Sequence, residues 1–71
     1  MNMPDDILKE RIKSLPAILS IREIADFFSV RYLTIYRLIQ AKKLPAWKDE
    51  EGGWCVARAD LLSFSRKNTN L

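Results

Sequence analysis

The sequence predicts one small domain, mainly α-helical, with a single short β-hairpin. Three observations predict it. A chain of 71 residues, 48% of them hydrophobic, can bury one core but not a second core or a deep catalytic cleft. Apolar residues recur at helical spacing along most of its length. One Gly-Gly pair, flanked by aromatic and β-branched residues, marks the place where helical spacing gives way to strand pairing.

The elements follow in order. Residues 4–14 open with Pro4, Asp5 and Asp6, favourable at a helix N-terminus, and carry Ile7, Leu8 and Ile12 on one helical face. Pro16 interrupts that helix, and Ile18 and Leu19 read as a brief extended lead-in. Ser20-Ile21-Arg22-Glu23 fits a capping box, in which serine oxygen and glutamate carboxylate each accept from the other residue's amide. In the helix it starts, Ile21, Ile24, Ala25 and Phe28 form one stripe facing a core, with Phe27 beside it.

The pattern breaks at Ser29-Val30 and resumes with Ile35, Leu38 and Ile39, which predicts a second helix from Arg31 or Tyr32 to about Ala41. So short a connection forces a sharp angle between the two helices, and Ala25 is small enough to let them cross closely. Leu44-Pro45 ends the second helix. Ala46-Trp47-Lys48 and Trp54-Cys55-Val56 then bracket Asp49 to Gly53 as a hairpin, with Gly52-Gly53 supplying residues that tolerate positive φ. Both Trp47 and Trp54 read as hairpin core, Trp54 above all. Leu61, Leu62 and Phe64 give residues 58–66 a closing helix, and a polar tail from Lys67 should fray. Residues 1–19 thus form a helix and lead-in, residues 20–66 the main unit, and residues 67–71 a tail.

Several function classes drop out on composition. Histidine is absent and Cys55 is the only cysteine, so no zinc site, disulfide framework or Cys/His nucleophile pair can be assembled. Cys55 reads as a small apolar strand residue. No glycine-rich phosphate loop, paired carboxylates or serine triad is present, so neither an enzyme nor a cofactor is expected. Apolar runs of a few residues are too short to span a bilayer, and Asp5 and Asp6 stand where a signal peptide needs positive charge. The expectation is a soluble cytoplasmic protein with neither a membrane nor a small-molecule partner.

From Leu19 to Phe64 the chain resembles the excisionase-type branch of the MerR-like winged helix-turn-helix superfamily. LSIREIADFFSV matches its first helix and turn, TIYRLIQAKKLPA its recognition helix and exit, and GGWCVARADLLSF its wing and closing helix. It departs from the family's pattern at Ser29, where a turn glycine is usual, at Arg31, where a small polar cap is usual, and at Lys42, where a glycine usually ends the helix. The resemblance implies a small DNA-binding protein of a mobile element such as a prophage, nucleoid-associated, acting either as a recombination directionality factor or as a transcriptional regulator. A recombinase (integrase), or a second copy on an adjacent site, is the protein partner it implies. A phage packaging-type DNA-recognition domain is a variant of the same reading.

With Ile35, Leu38 and Ile39 turned inward, Tyr32, Leu33, Tyr36, Arg37 and Gln40 fall on the outer face of the second helix. Arg37 suits guanine O6 and N7, Gln40 suits adenine, and Leu33 or Tyr32 suits a thymine methyl. The hydroxyls of Thr34 and Tyr36 suit phosphate oxygens, although Tyr36 also reads as half-buried packing and Thr34 as ordinary first-turn chemistry.

Charge distribution points the same way. The whole chain carries +3, with pI ≈ 9.3, but residues 20–48 hold Arg22, Arg31, Arg37, Lys42, Lys43 and Lys48 against only Glu23 and Asp26. The excess sits on the proposed reading unit, as phosphate neutralisation requires. Asp49, Glu50 and Glu51 argue back, because acids at a wing tip repel phosphate. A tip pointing away from DNA would leave Lys48 and Arg58 as the wing's backbone contacts. The competing class is a protein-interaction module in which Tyr32, Leu33, Tyr36 and the N-terminal helix form the contact patch.

Overall fold

The computed structural model describes residues 5–67. Pro4 and the tail beyond Lys67, both used in the expectations above, lie outside the described residues. The elements run α1 (Asp5–Lys13), β1 (Ile18–Ser20), α2 (Ile21–Phe28), α3 (Tyr32–Gln40), β2 (Trp47–Lys48), β3 (Trp54–Ala57) and α4 (Arg58–Lys67).

Helix α1 ends as Pro16 requires: Leu15 N–H donates to Ile12 O (3.0 Å), Ser14 Oγ donates to Arg11 O (2.7 Å), and the chain turns into β1. The capping box forms as read, with Ser20 N–H donating to Glu23 Oε1 (3.0 Å) and Glu23 N–H donating to Ser20 Oγ (3.1 Å). At the other end of α2, Ser29 adopts the left-handed conformation, φ 56° and ψ 43°. Its N–H donates to Asp26 O (3.2 Å) and that of Val30 donates to Ala25 O (3.0 Å). These are the two bonds of a Schellman motif, with serine where glycine is usual.

The sheet differs from the expected lone hairpin. It has three antiparallel strands in the order β1-β3-β2. The lead-in pairs Leu19 with Val56 and Ser20 with Cys55, while β2 pairs Trp47 with Cys55 and Lys48 with Trp54. A three-residue strand carries no period-2 signature of its own; what makes it a strand is the second free edge of β3. This register turns Leu19, Val56 and Trp54 to one face of the sheet and Ser20, Cys55 and Trp47 to the other.

One core joins every layer. Ile12 from α1, Leu19 and Val56 from the sheet, Ile21, Ile24 and Ala25 from α2, Ile35 and Ile39 from α3, Leu44 from the exit, and Leu61 and Phe64 from α4 are all buried. Phe28 reaches this core only from its margin, packed edge-on against Phe27 with ring centroids 4.9 Å apart. Helix α1 packs on α4, and Ile12 is wholly buried, so the N-terminal helix covers the core. Among the described residues the buried polar side chain is Ser65, which donates from Oγ to Leu62 O (2.8 Å).

Left-handed backbone at a serine costs about 1–2 kcal/mol, more than the roughly 0.4–1 kcal/mol that glycine forfeits through its freer unfolded chain. Ser29→Gly should therefore raise stability by about 0.5–1 kcal/mol, read as a higher denaturant midpoint at unchanged slope. Ile24→Ala, which empties a site in the middle of the core, should cost about 2–5 kcal/mol in the same measurement.

Candidate nucleic-acid interface

Helix α3 is held by its buried side and presents the other. Residues 29–31 alone connect it to α2, and the Schellman turn at Ser29 fixes the direction in which it leaves. Arg31 occupies its N-cap with extended backbone, φ −74° and ψ 148°, and makes no side-chain cap bond. Thr34 N–H donates to Arg31 O (3.0 Å), which leaves the Arg31 side chain exposed. No acid lies in the first turn of α3, so the positive end of the helix dipole is left for an external anion.

The exit of α3 repeats the α2 ending. Lys42 is left-handed, φ 63°; its N–H donates to Ile39 O (3.1 Å), and Lys43 N–H donates to Leu38 O (3.0 Å). Ser29 and Lys42 thus both take a conformation that glycine adopts at less cost, and the chain accepts the strain. Buried Leu44 closes this turn, leaving Lys42 and Lys43 exposed.

The structure brings the expected face together. Tyr32 is 53% exposed and Leu33 47%; Arg37 and Gln40 are exposed, Tyr36 and Thr34 half-buried, and Ile35 and Ile39 buried beneath them. Arg22 is exposed in the first turn of α2, beside Tyr32. Among the described residues the ion pair present joins Lys13 to Glu10, so Arg22, Arg31, Arg37, Lys42, Lys43 and Lys48 all lack an acidic partner there.

The hairpin is organised by Asp49. Its Oδ1 accepts from Glu51 N–H (2.9 Å) and Gly53 N–H (2.8 Å), its N–H donates to Gly53 O (2.9 Å), and its carbonyl accepts from Gly52 N–H (3.0 Å). One of the three tip acids is therefore structural. The signal was present in the sequence, as an aspartate placed to bond amides two and four residues on, ahead of a glycine pair. Gly52 takes φ 84°, whereas a Cβ at Gly53 would meet Asp49 Oδ2 at 3.2 Å and crowd the carboxylate that organises the turn.

Two expectations about individual residues are corrected. Trp47 is not hairpin core: paired with Cys55, it points to the outer sheet face and is 43% exposed. Trp54 does pack against the core, with Lys48 Nζ 5.1 Å from its ring centroid. Arg58 is no free wing cation. Its Nη1 donates to Leu15 O (2.7 Å) and Lys13 O (3.2 Å), and its backbone N–H donates to Ala17 O (2.8 Å). It ties the α1–β1 turn to the start of α4.

Cys55 is half-buried on β3, and partial burial followed by the nearby Asp49 carboxylate pushes its thiol pKa above the ordinary value. The thiol stays neutral, an apolar strand residue. Among the described residues no cluster of His, Cys, Asp and Glu is placed to hold a metal ion, and no helix is long and apolar enough to cross a membrane.

A scan against protein families matches residues 18–69 to the family described as a helix-turn-helix domain. The chain belongs to the helix-turn-helix domain family. The match begins at β1 and takes in the whole of α2, α3, the hairpin and α4, so this small helix-turn-helix protein is a DNA-binding one, and DNA is its partner. Comparisons with curated proteins and with solved structures give no match.

Two measurements check these assignments. Arg58→Ala leaves two carbonyls without their charged donor and should lower stability by about 1–3 kcal/mol, while DNA affinity of the folded protein stays unchanged. Alkylation of Cys55 at pH 8 should be slower than that of a free cysteine, because a raised pKa leaves less thiolate. Asp49→Asn, which removes the facing charge and keeps an acceptor oxygen, should speed it.

Proposed function

We propose that the protein binds specific duplex sequences by inserting α3 into a major groove, and that it serves a mobile element as a recombination directionality factor or transcriptional regulator. The observation that carries the first part is the outer face of α3. It holds Tyr32, Leu33, Arg37 and Gln40 in the open, over a buried base of Ile35 and Ile39 that fixes their direction. Arg37 is the guanine reader and Gln40 the adenine reader, with Leu33 or Tyr32 against a thymine methyl. Thr34 and Tyr36 hydroxyls, Arg31 at the helix start, Lys42 and Lys43 at its end and Lys48 on the wing supply phosphate contacts. Residues 20–66 are the DNA-binding unit in this reading, and α1 is its buttress.

The second part rests on the resemblance to excisionase-type proteins, and its protein partner would be a recombinase or a second copy on an adjacent site. One observation favours a different class. Two large apolar side chains, Tyr32 and Leu33, stand half in water on α3, which also suits a protein-contact patch. Salt separates the two: groove binding weakens steeply with ionic strength, and an apolar protein contact does not.

Arg37→Ala should cost about 1–3 kcal/mol on the preferred duplex and relax base choice at one position, whereas Lys43→Ala should weaken all duplexes alike. Fluorescence anisotropy on a set of single-base variants checks both. Equal losses on every duplex for Arg37→Ala would contradict its role as a base reader.

A further inference from the structure

The register leaves one face of the sheet uncovered. Ile18, Ser20, Cys55, Ala57 and Trp47 share it, by the two-residue alternation of each strand. Ile18 is 56% and Trp47 43% exposed, while Cys55 and Ala57 between them are half-buried. The other large apolar side chains exposed among the described residues are Tyr32 and Leu33 on α3, which the DNA reading uses, and Ile7 on α1. Scattered singly, such residues are ordinary; gathered on one sheet face they mark a contact surface. Tryptophan is among the side chains that most often anchor one.

Charge decides what kind of surface would cover this strip. Beside Cys55 it continues into a hollow of about 340 Å3, bordered by Ile18, Ser20, Glu23, Asp49 and Arg22. Asp49 Oδ1 is taken by amides of its own turn, but Oδ2 stands over the strip, 3.9 Å from Cys55 Sγ. Glu50 and Glu51 follow it at the exposed tip. Against these acids the hollow holds one base, Arg22. Lys48 is turned to the opposite face, over Trp54, and Arg58 beside Ala57 is held by carbonyls of the α1–β1 turn. The strip therefore has an apolar floor and a negative end.

We propose that this strip is a docking site for a basic, apolar segment of another protein. Aliphatic or aromatic side chains of that segment lie across Ile18, Cys55, Ala57 and Trp47, and an arginine or lysine next to them meets Asp49, Glu50 and Glu51. The inference stands apart from the DNA reading, which uses α3, and gives the acidic tip a use that a phosphate contact cannot. The floor is three strands wide, about 10 Å, so roughly three extended residues cross it. So small a contact is of the transient kind.

Two terminally blocked, fluorescently labelled peptides test this, one of three leucines followed by three arginines and one of three leucines followed by three glutamates. Titrated with the unaltered protein, the arginine peptide should bind and the glutamate peptide should not, and amide shifts on binding should map to β1, β3 and Trp47. Trp47→Ser should weaken binding at least about tenfold, as loss of an anchoring aromatic does. Glu50→Gln with Glu51→Gln, on the exposed turn away from the core, should weaken it several-fold and reduce its salt dependence. Ile7→Ser, at the exposed apolar site on α1, should change nothing. Equal binding of both peptides, binding that survives either the tryptophan or the glutamate substitutions, or no binding of the arginine peptide would overturn the proposal. Shifts of the same residues that grow with protein concentration in the absence of peptide would also overturn it, by making the occupant a second copy of this chain.

Discussion

Everything on the binding side depends on how α3 leaves α2, and that is decided by the left-handed backbone of Ser29. Its φ of 56° lets the Ser29 and Val30 amides cap α2 while the chain reverses within residues 29–31. Only then can Ile35 and Ile39 meet Ile21, Ile24 and Ala25 in one core. Burial of those side chains, each worth about 1.5–3 kcal/mol for the larger ones, is what offsets the cost of a non-glycine residue in that conformation. The same solution recurs at Lys42, where it also leaves a cation exposed beside the reading face. Glycine at Lys42 would be easier on the backbone and would give up that charge.

Much of this was legible in the residues because local rules and the global fold agree. The capping box at Ser20 and Glu23, the stripe through Ile21, Ile24 and Ala25, and the inward set Ile35 and Ile39 each follow from spacing alone, and each is where spacing puts it. What was not legible depended on contacts far apart in sequence. Ile18 to Ser20 become a strand only because β3 offers an edge, and Trp47 faces outward only because of its register against Cys55. Arg58 reads as a wing cation until the α1–β1 turn is placed against it. Side-chain identity announces charge; where the charge is used is a property of the fold.

The hairpin shows how a charge count can mislead. Three consecutive exposed acids at its tip argue against DNA nearby, yet Asp49 holds its carboxylate on its own loop's amides, so one of the three is there to shape the turn. Basic groups, by contrast, lack acidic partners across α2, α3 and their exits among the described residues. Such a concentration of unpaired bases on one part of the surface produces a local attractive field from a chain whose total charge is only +3.

The central claim is that a single helix, held out from a shared core, reads duplex sequence. Selection of bound duplexes from a random pool, carried out at a low and a raised salt concentration, tests it most directly. The account predicts enrichment of one short motif that sharpens as salt rises, because salt weakens phosphate contacts common to all sequences more than base contacts. Recovery of an unenriched pool at both salt concentrations would contradict it and would leave the exposed Tyr32 and Leu33 as the face of a protein-interaction module.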